Sequence, residues 1–292
     1  MNIALAGLGN MGRPMADRLL DRGFPLTVTN RTRERADPLI AKGALWANSP
    51  KEAAENAAVF ATVLSDDSAV LSHLRGGGVL DALPKGAIHV SLSTISVAAS
   101  KILEEEHSRR GQGYVSAPVF GRPDAVVAGR LRVLCAGDPA SVDIVLPVLE
   151  ALGSKVFRLG DSPPVANLVK LSGNFMIGSA LEALGESFSL VQKAGVDPAL
   201  FLEIINDALF RSPLYENYGN IMAEKRYEPA GFTMDLGLKD IRLVLDAAEA
   251  LRVPLPLAGV IRDSLLAGLA RGRHPLDWSA LVLSHYDRAG IS

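Results

Sequence analysis

The chain begins with Met1-Asn2-Ile3-Ala4-Leu5-Ala6-Gly7-Leu8-Gly9-Asn10-Met11-Gly12, a short apolar run that leads directly into Gly-x-Gly-x-x-Gly. Residues 11–20 then follow the pattern of a helix. In this order the first glycine permits a tight turn, the second lets a pyrophosphate approach the backbone, and the third lets helix and strand pack closely. The helix N-terminus offers free N–H groups to the phosphates. The stretch therefore predicts a dinucleotide-binding fold, with these cofactor contacts: Gly7, Leu8, Gly9, Asn10, Met11 and Gly12.

The end of the next predicted strand, Pro25–Thr29, indicates which dinucleotide is preferred. An NAD site usually carries an acidic residue about 20 residues beyond the glycines, where it holds the ribose 2′-hydroxyl. This chain instead has Asn30, Arg31 and Thr32. Arg31 can pair bidentately with a 2′-phosphate and stack on adenine, while Thr32 either adds a hydrogen bond or caps the next helix. The alternative is a solvated basic helix start that binds no ligand. The pattern favours NADP(H), with use of NAD(H) left open.

The bulk properties are those of a globular protein. The 292 residues suffice for two domains or one large one, and the net charge of -2 gives no electrostatic reason to expect nucleic-acid or membrane partners. A signal peptide and a bilayer-spanning apolar segment are not visible, so a cytoplasmic location is expected. Cys135 is the only cysteine, which excludes an intramolecular disulfide and predicts a buried thiol. The five histidines lack ligand spacing, so no metal site is expected.

The chain changes character near residue 160. Before it, short apolar runs alternate with helical patterns, which predicts a mostly parallel sheet with helices on both faces. The predicted strands are Asn2–Ala6, Pro25–Thr29, Val59–Val63, Ala87–Leu92, Tyr114–Ser116, Leu131–Ala136 and Lys155–Arg158. After it, only helical periodicity remains, beginning with one long helix over residues 165–194. We therefore predict an α/β Rossmann-type domain over residues 1–162 and an all-α domain over residues 163–292, joined by a long interdomain helix.

Two hydroxyl residues stand where a predicted strand gives way to a helix, at Ser93-Thr94. In open α/β sheets, ligands bind beyond the carboxyl ends of the strands, so both residues are candidate substrate contacts and Thr94 is also a candidate cofactor contact. A plain helix N-cap by Ser93 or Ser96 is the simpler explanation of either serine taken alone.

The long helix carries a polar face. Asn167, Lys170 and Asn174 are spaced three and four residues apart, so they share one side of a helix that is otherwise apolar. A lysine with two carboxamides on a buried face is costly unless something uses them, and a partly desolvated lysine is suited to proton transfer. The alternative is a lysine that extends to solvent at the helix margin. Lys239-Asp240 lies within a later predicted helix and is either functional or a surface pair.

Taken together, these segments resemble the β-hydroxyacid dehydrogenases, which include 3-hydroxyisobutyrate dehydrogenase, tartronate semialdehyde reductase, glyoxylate/succinic semialdehyde reductase and, more distantly, 6-phosphogluconate dehydrogenase. The resemblance covers nearly the whole chain. Further segments that carry it are Met15-Ala16, Ala117-Pro118-Val119, Ala128-Gly129 and Pro254-Leu255-Pro256. It implies that Lys170 is the catalytic lysine, that Asn174 supports it, and that Lys239 lies near the cofactor. Both Lys170 and Asn174 are also assigned to the substrate, and Leu64 and Ser65 complete the predicted cofactor set.

The chain departs from the family pattern at two places. The usual Asp-x-Ser-Thr is replaced by Ser91-Leu92-Ser93-Thr94, and the usual Pro-Val-Ser-Gly-Gly loop reads Pro118-Val119-Phe120-Gly121-Arg122. We predict that Phe120, Gly121 and Arg122 contact the substrate, with the Gly121 N–H presented to a carboxylate. Because Phe120 removes the serine hydroxyl and Arg122 adds a charge, the substrate does not follow from a named relative.

The resemblance implies NADPH-dependent reduction of a small aldehyde or keto acid, reversible on the corresponding hydroxy acid. One alternative is an imine reductase on the same fold, although that branch typically has Asp or Tyr at the position of Lys170. Another is a non-catalytic NADP-binding scaffold or reader module, which would be expected to lose this lysine. Retention of Lys170 and Ser93-Thr94 favours an enzyme. Long apolar helices of this family pack across subunits, so a homodimer or homotetramer is expected.

Overall fold

The computed structural model describes residues 1–291, and the chain divides into two units, Met1–Lys170 and Leu171 onward. The long helix Pro164–Lys193 runs through this division. The boundary predicted from the sequence, between residues 162 and 163, lies in the loop just before that helix.

The first unit is built on a mixed β-sheet. Its strands are β1 (Ile3–Ala6), β2 (Leu26–Thr29), β3 (Leu45–Trp46), β4 (Val59–Thr62), β5 (Ile88–Ser91), β6 (Gly113–Ser116), β7 (Val119–Phe120), β8 (Leu131–Gly137) and β9 (Gly153–Arg158). The order across the sheet is β3-β2-β1-β4-β5-β6-β8-β7, and β9 pairs with β8. The strands from β3 to β6 are parallel, whereas β8 runs antiparallel to β6 and β7. The strand order reverses between β1 and β4, which is where open α/β sheets bind their ligands.

The central strands are buried on both faces, as parallel strands covered by helices must be. All four residues of β1 are buried; Ile3 and Leu5 belong to one hydrophobic cluster, while Ala4 and Ala6 belong to the other. Alternate side chains thus build two cores, one on each side of the sheet. Cys135 on β8 is buried among apolar residues, and this burial raises the pKa of its thiol to about 11. The predicted buried thiol is confirmed.

Helices cover the sheet of the first unit and make up the second. They are α1 (Gly12–Asp21), α2 (Asp37–Ala41), α3 (Pro50–Ala54), α4 (Asp67–Leu71), α5 (Val79–Ala82), α6 (Val97–Arg109), α7 (Pro123–Val127), α8 (Pro139–Leu152), α9 (Pro164–Lys193), α10 (Pro198–Ile205), α11 (Pro213–Ala223), α12 (Met234–Leu251), α13 (Pro256–Leu269) and α14 (Val282–Ala289). Several begin at a side chain that accepts a first-turn N–H, as N-cap residues do. These caps are Ser49, Asp66, Ser96, Asp138 and Asp197.

The second unit is helical, as predicted. Over its described residues, the β-type pairing is a single bridge between Thr233 and Asp277. Its core includes Trp278, which is 2% exposed and packs edge-on against Tyr218 and Phe232. In the part of the chain that the structure describes, no helix has the length and apolar character needed to cross a membrane.

Candidate active site

The three glycines of the first turn have different surroundings. Gly7 adopts φ +102°, a backbone conformation that favours glycine, and a Cβ on Gly12 would lie 1.9 Å from the Gly7 carbonyl oxygen. A Cβ on Gly9 would meet nothing within 4 Å. The folded chain therefore requires Gly7 and Gly12, whereas Gly9 borders open space that a ligand can occupy. The N-terminus of α1 follows directly and has no side-chain cap.

Asn30 ties this turn to the end of β2. The Leu8 N–H donates to the Asn30 side-chain oxygen at 2.9 Å, and the Asn30 amide nitrogen donates to the Thr32 carbonyl oxygen at 2.9 Å. Arg31 and Thr32 are both exposed beyond it. Thr32 precedes a short 3₁₀ helix but makes no capping hydrogen bond to it, so the alternative of a helix cap at Thr32 is wrong. Asn30 thus shapes the turn, while Arg31 and Thr32 stand at its rim.

Two further arginines, absent from the predicted set, lie beside the glycine-rich turn. Arg13 and Arg35 line a cavity of about 600 Å³ together with Gly9 and Asn10, and Arg35 Nη1 lies 3.4 Å from the Leu8 carbonyl oxygen. Two guanidinium groups next to uncapped N–H groups favour an anionic ligand. The signal in the sequence was the arginine directly after the third glycine and the one four residues beyond Arg31.

The hydroxyl of Ser93, which follows β5, makes hydrogen bonds to the backbone at the end of β4. Ser93 is 2% exposed; its oxygen accepts from the Leu64 N–H at 2.8 Å, and its hydroxyl donates to the Thr62 carbonyl at 3.3 Å. Thr94 next to it is half-buried, Leu64 is half-buried, and Ser65 is exposed. Ser93 therefore fixes the two loops that carry the neighbouring candidates. It is not the helix cap of α6, a role that Ser96 fills.

The polar residues of α9 in the first unit, Asn167 and Lys170, each contact a residue from another part of the chain. Asn167 is buried; it accepts from the Ser116 hydroxyl at 2.7 Å and donates to the Ile95 carbonyl at 3.4 Å, so it anchors the helix to the sheet. Lys170, one turn further along α9, is 9% exposed, and its Nζ lies 4.3 Å from the centroid of the Phe120 ring. The lysine is therefore mostly removed from water, which excludes the alternative of a side chain lying in solvent.

The backbone conformation of the loop that carries Phe120 is fixed by strand pairing and by a glycine. Phe120 pairs with Arg132 in the β7–β8 register, and Gly121 adopts φ +139°. A Cβ on Gly121 would lie 2.5 Å from Leu131 Cδ2, so a glycine is needed there. Arg122 is half-buried and precedes α7.

Within the second unit, a buried carboxylate joins two predicted site residues. Asp240 is 0% exposed; it accepts a short hydrogen bond from the Asn174 amide, and its Oδ1 lies 2.8 Å from Lys239 Nζ. The Lys239–Asp240 pair is thus no surface pair. Asp240 was absent from the predicted site residues because its contact with Asn174 spans 66 positions.

A polar cluster outside the predicted site lies between α9 and α14. Glu182 Oε1 accepts from the Ser264 hydroxyl at 2.8 Å and lies 3.1 Å from His285 Nε2. Donor atoms of Glu182, Glu186 and His285 lie within 4.8 Å of one another, a spacing compatible with a cation. The contacts of Glu182 Oε1 link α9 to Ser264 on α13 and to His285 on α14, so this cluster contributes to the packing of the helical unit.

The fold and the site define an NAD(P)-dependent oxidoreductase. Residues 2–160 match the family model of the NAD-binding domain of 6-phosphogluconate dehydrogenase. Residues 165–284 match that of the NAD-binding domain of NADP-dependent 3-hydroxyisobutyrate dehydrogenase. The chain therefore belongs to the β-hydroxyacid dehydrogenase family, which includes 3-hydroxyisobutyrate dehydrogenase, as the resemblance of its motifs predicted.

Individual relatives agree with this assignment. The chain is 44% identical to the oxidoreductase YfjR of Bacillus subtilis, an alignment that covers 97% of this chain and 99% of that protein. It is 31% identical to glyoxylate/succinic semialdehyde reductase 1 of Arabidopsis thaliana, with 97% of each chain covered. The crystal structure of 3-hydroxyisobutyrate dehydrogenase from Salmonella typhimurium matches with a TM-score of 0.88 at 26% identity, covering 97% of this chain and 99% of that one.

Proposed function

We propose that this protein is an NADPH-dependent reductase of a small aldehyde or keto acid, which also oxidises the corresponding hydroxy acid. The observation that carries the proposal is the nearly buried Lys170, which lies in the same unit as a glycine-rich turn with an open position at Gly9. The resemblance to glyoxylate/succinic semialdehyde reductase 1 supports the choice of substrate class.

The preference for NADPH rests on the charges around the turn. Arg31 stands exposed at the end of β2, where an acidic residue would select NAD, and Arg13 and Arg35 line the neighbouring cavity. We assign the 2′-phosphate to Arg31 with Thr32, and the pyrophosphate to the N–H groups at the start of α1. Leu64, Ser65 and Thr94, which follow β4 and β5, complete the cofactor side.

A nicotinamide held at this turn would supply the hydride that the carbonyl carbon receives. Lys170 Nζ donates a proton to the carbonyl oxygen as that oxygen becomes a hydroxyl, and it takes the proton back in the oxidative direction. Asn174, on the same helix one turn on, orients Lys170 or the substrate oxygen. Asp240 holds the Asn174 amide and the Lys239 ammonium in place. Ser93 keeps Thr94 in position through its two backbone contacts.

We also propose that the protein is a homodimer or homotetramer. Supporting residues are large apolar side chains of the helical unit that stand in solvent in the single chain, namely Met176 (69%), Leu190 (74%), Leu200 (50%), Ile204 (54%) and Leu209 (78%). Exposed apolar side chains that adjoin one another mark interaction sites. Sedimentation of the wild type and of Leu190→Glu tests the proposal, because a charge at an interface should shift an oligomer toward the monomer.

The loss of NADPH absorbance with matched substrates tests the activity. The panel contains semialdehydes, keto acids and cyclic imines, each with NADPH and with NADH. We expect turnover of a carboxylated aldehyde or keto acid with NADPH. Turnover of the imines alone would make the protein an imine reductase, and cofactor binding without any turnover would identify a binding module. The Lys170→Arg variant is the control for chemistry that depends on the lysine.

A further inference from the structure

The side chain of Lys170 ends on the face of an aromatic ring. Its Nζ lies 4.3 Å from the centroid of Phe120, well inside the ~6 Å limit of a cation–π contact. Because Lys170 is only 9% exposed, water competes weakly for the ammonium. The attraction between the cation and the ring is correspondingly stronger than at a surface.

The ring is the fixed partner of this contact. Phe120 packs on a cluster formed by Leu134, Ala136 and Ala166, and its backbone pairs with β8. The next residue, Gly121, adopts a positive φ of 139° and so fixes the backbone that leaves the ring. A lysine has a flexible four-carbon stem, so the contacts that its ammonium makes, the ring among them, set the position of Nζ.

We propose that Phe120 is a positioning residue for Lys170: the ring holds the ammonium over its face and sets the direction in which Lys170 meets the substrate. Its effect on catalysis rests on the proposed function, whereas the contact itself does not. Phe120 thereby contributes to the reaction through the lysine.

The contact has a charge-dependent consequence. The ring quadrupole attracts an ammonium but not a neutral amine, so the ring favours the form of Lys170 that donates a proton. Removing the ring while keeping an apolar side chain should shift the titration midpoint of Lys170 to lower pH. The expected shift is roughly 0.4–1.5 pH units, on the scale of cation–π contacts.

The test uses protein labelled with ¹³C,¹⁵N-lysine and observed by NMR without substrate. The Lys170 signal is the one that disappears in Lys170→Arg. In the wild type its Hε protons should be shifted upfield by the ring. Phe120→Leu and Phe120→Met should abolish that shift and lower the midpoint, while Phe120→Tyr should keep both near the wild-type values. Two non-aromatic variants are used so that one folding failure leaves the test intact.

The chain offers a matched control. Lys155 Nζ lies 4.7 Å from the Phe157 ring in the same unit, with both residues on β9. Phe157→Leu should leave the Lys170 signal unchanged. An unchanged Lys170 signal in folded Phe120→Leu would overturn the proposal, and so would an equal change in Phe157→Leu.

Kinetics separate this proposal from the proposed function. If the reductase activity is present, the fall of kcat at high pH should move to lower pH in Phe120→Leu, and kcat should drop by about 2–30-fold. A normal pH profile in a variant that has lost the NMR shift would overturn the positioning role. If no substrate is turned over, the function fails, while the NMR result still decides the contact.

Discussion

The side-chain oxygen of Asn30 accepts a hydrogen bond from the Leu8 N–H at 2.9 Å. A residue at the end of β2 therefore fixes the conformation of the glycine-rich turn without any ligand. The neighbouring Arg31 is exposed, so its side chain is accessible to a ligand. We therefore expect Asn30 to shape the turn for any dinucleotide and Arg31 to discriminate between NADPH and NADH.

This division predicts two different binding defects. Arg31→Ala should weaken NADPH by about 1.5–3 kcal/mol, the scale of a charge-assisted hydrogen bond, with little effect on NADH. Asn30→Ala should weaken both cofactors to a similar degree because the turn loses its anchor. Fluorescence titration of each variant with both cofactors measures this. Equal affinity of the wild type for NADPH and NADH would contradict the predicted preference.

The glycines make a second pair of variants. A Cβ at Gly9 meets nothing within 4 Å, so Gly9→Ala should fold with a wild-type melting temperature and lose cofactor binding. A Cβ at Gly12 would lie 1.9 Å from the Gly7 carbonyl oxygen, so Gly12→Ala should be destabilised by about 1–3 kcal/mol or more. Thermal melting and cofactor titration separate the two effects. Normal NADPH affinity in Gly9→Ala would place the pyrophosphate elsewhere.

Lys170 is predicted to be the proton donor. Lys170→Ala should lower turnover by roughly 10²–10⁴-fold while NADPH binding persists, because the loss falls in the transition state. Lys170→Arg should fail as well, since a guanidinium does not release its proton near neutrality. The matched control is Lys193 on the same helix, whose Nζ donates to the Ala289 carbonyl at 2.7 Å. Near-wild-type turnover in Lys170→Ala, or an equal loss in Lys193→Ala, would refute the assignment.

A chain of buried hydrogen bonds runs through the first unit. Gln112 donates its amide to the Leu80 and Leu83 carbonyls, which leaves its oxygen to accept from His107 Nδ1 at 2.8 Å. The bonds then run from His89 Nδ1 to His107 Nε2 and from the Thr62 hydroxyl to His89 Nε2, each at 3.0 Å. Both imidazoles are thus neutral and each has one defined tautomer.

Burial lowers the pKa of both histidines, that of His107 to about 4 and that of His89 well below 6.5. The unfolded chain therefore binds protons first as the pH falls, and stability is lost between pH 6.5 and about 4. The His107 contribution is roughly 3 kcal/mol over that window. Urea unfolding at several pH values should show a weaker pH dependence for His107→Gln than for the wild type. The same substitution at the exposed His274 is the control. An equal dependence of the unfolding free energy on pH in the wild type and in His107→Gln would contradict the prediction.

The sequence was sufficient to predict the bounds of those strands and helices whose apolar pattern is clear. The apolar runs predicted β1, β4 and β8, and helical periodicity predicted α8 and α9 to within a residue of their ends. It failed for β3 and β7, since two residues show no period and Leu45 in β3 is exposed. Such short pairs form because the neighbouring strand offers free backbone groups, a tertiary cause that local sequence does not contain.

The same limit applies to the site. The spacing of Lys170 and Asn174 placed them on one helix face, because a helix fixes that relationship locally. The partners of this face come from distant segments: Ser116 for Asn167, Phe120 for Lys170, and Asp240 for Asn174. Only the folded chain brings them together, so the shared face of the helix was predictable and the residues that contact it were not.

The last prediction concerns Arg122, which is half-buried at the start of α7 and follows the glycine at φ +139°. We predict that its guanidinium clamps the substrate carboxylate in place of the serine hydroxyl that the family loop usually supplies. A bidentate pair of this kind contributes about 1.5–3 kcal/mol, which corresponds to roughly 10–150-fold in kcat/KM. Arg122→Met should cause that loss for a carboxylated aldehyde and leave the matched uncharged aldehyde nearly unaffected. The exposed Arg132, which pairs with Phe120 across β7 and β8, is the control for a lost surface charge. A similar change in kcat/KM for both substrates would show that Arg122 is a solvated loop residue, and the pocket would then favour a less charged carbonyl compound because an unpaired buried carboxylate is costly.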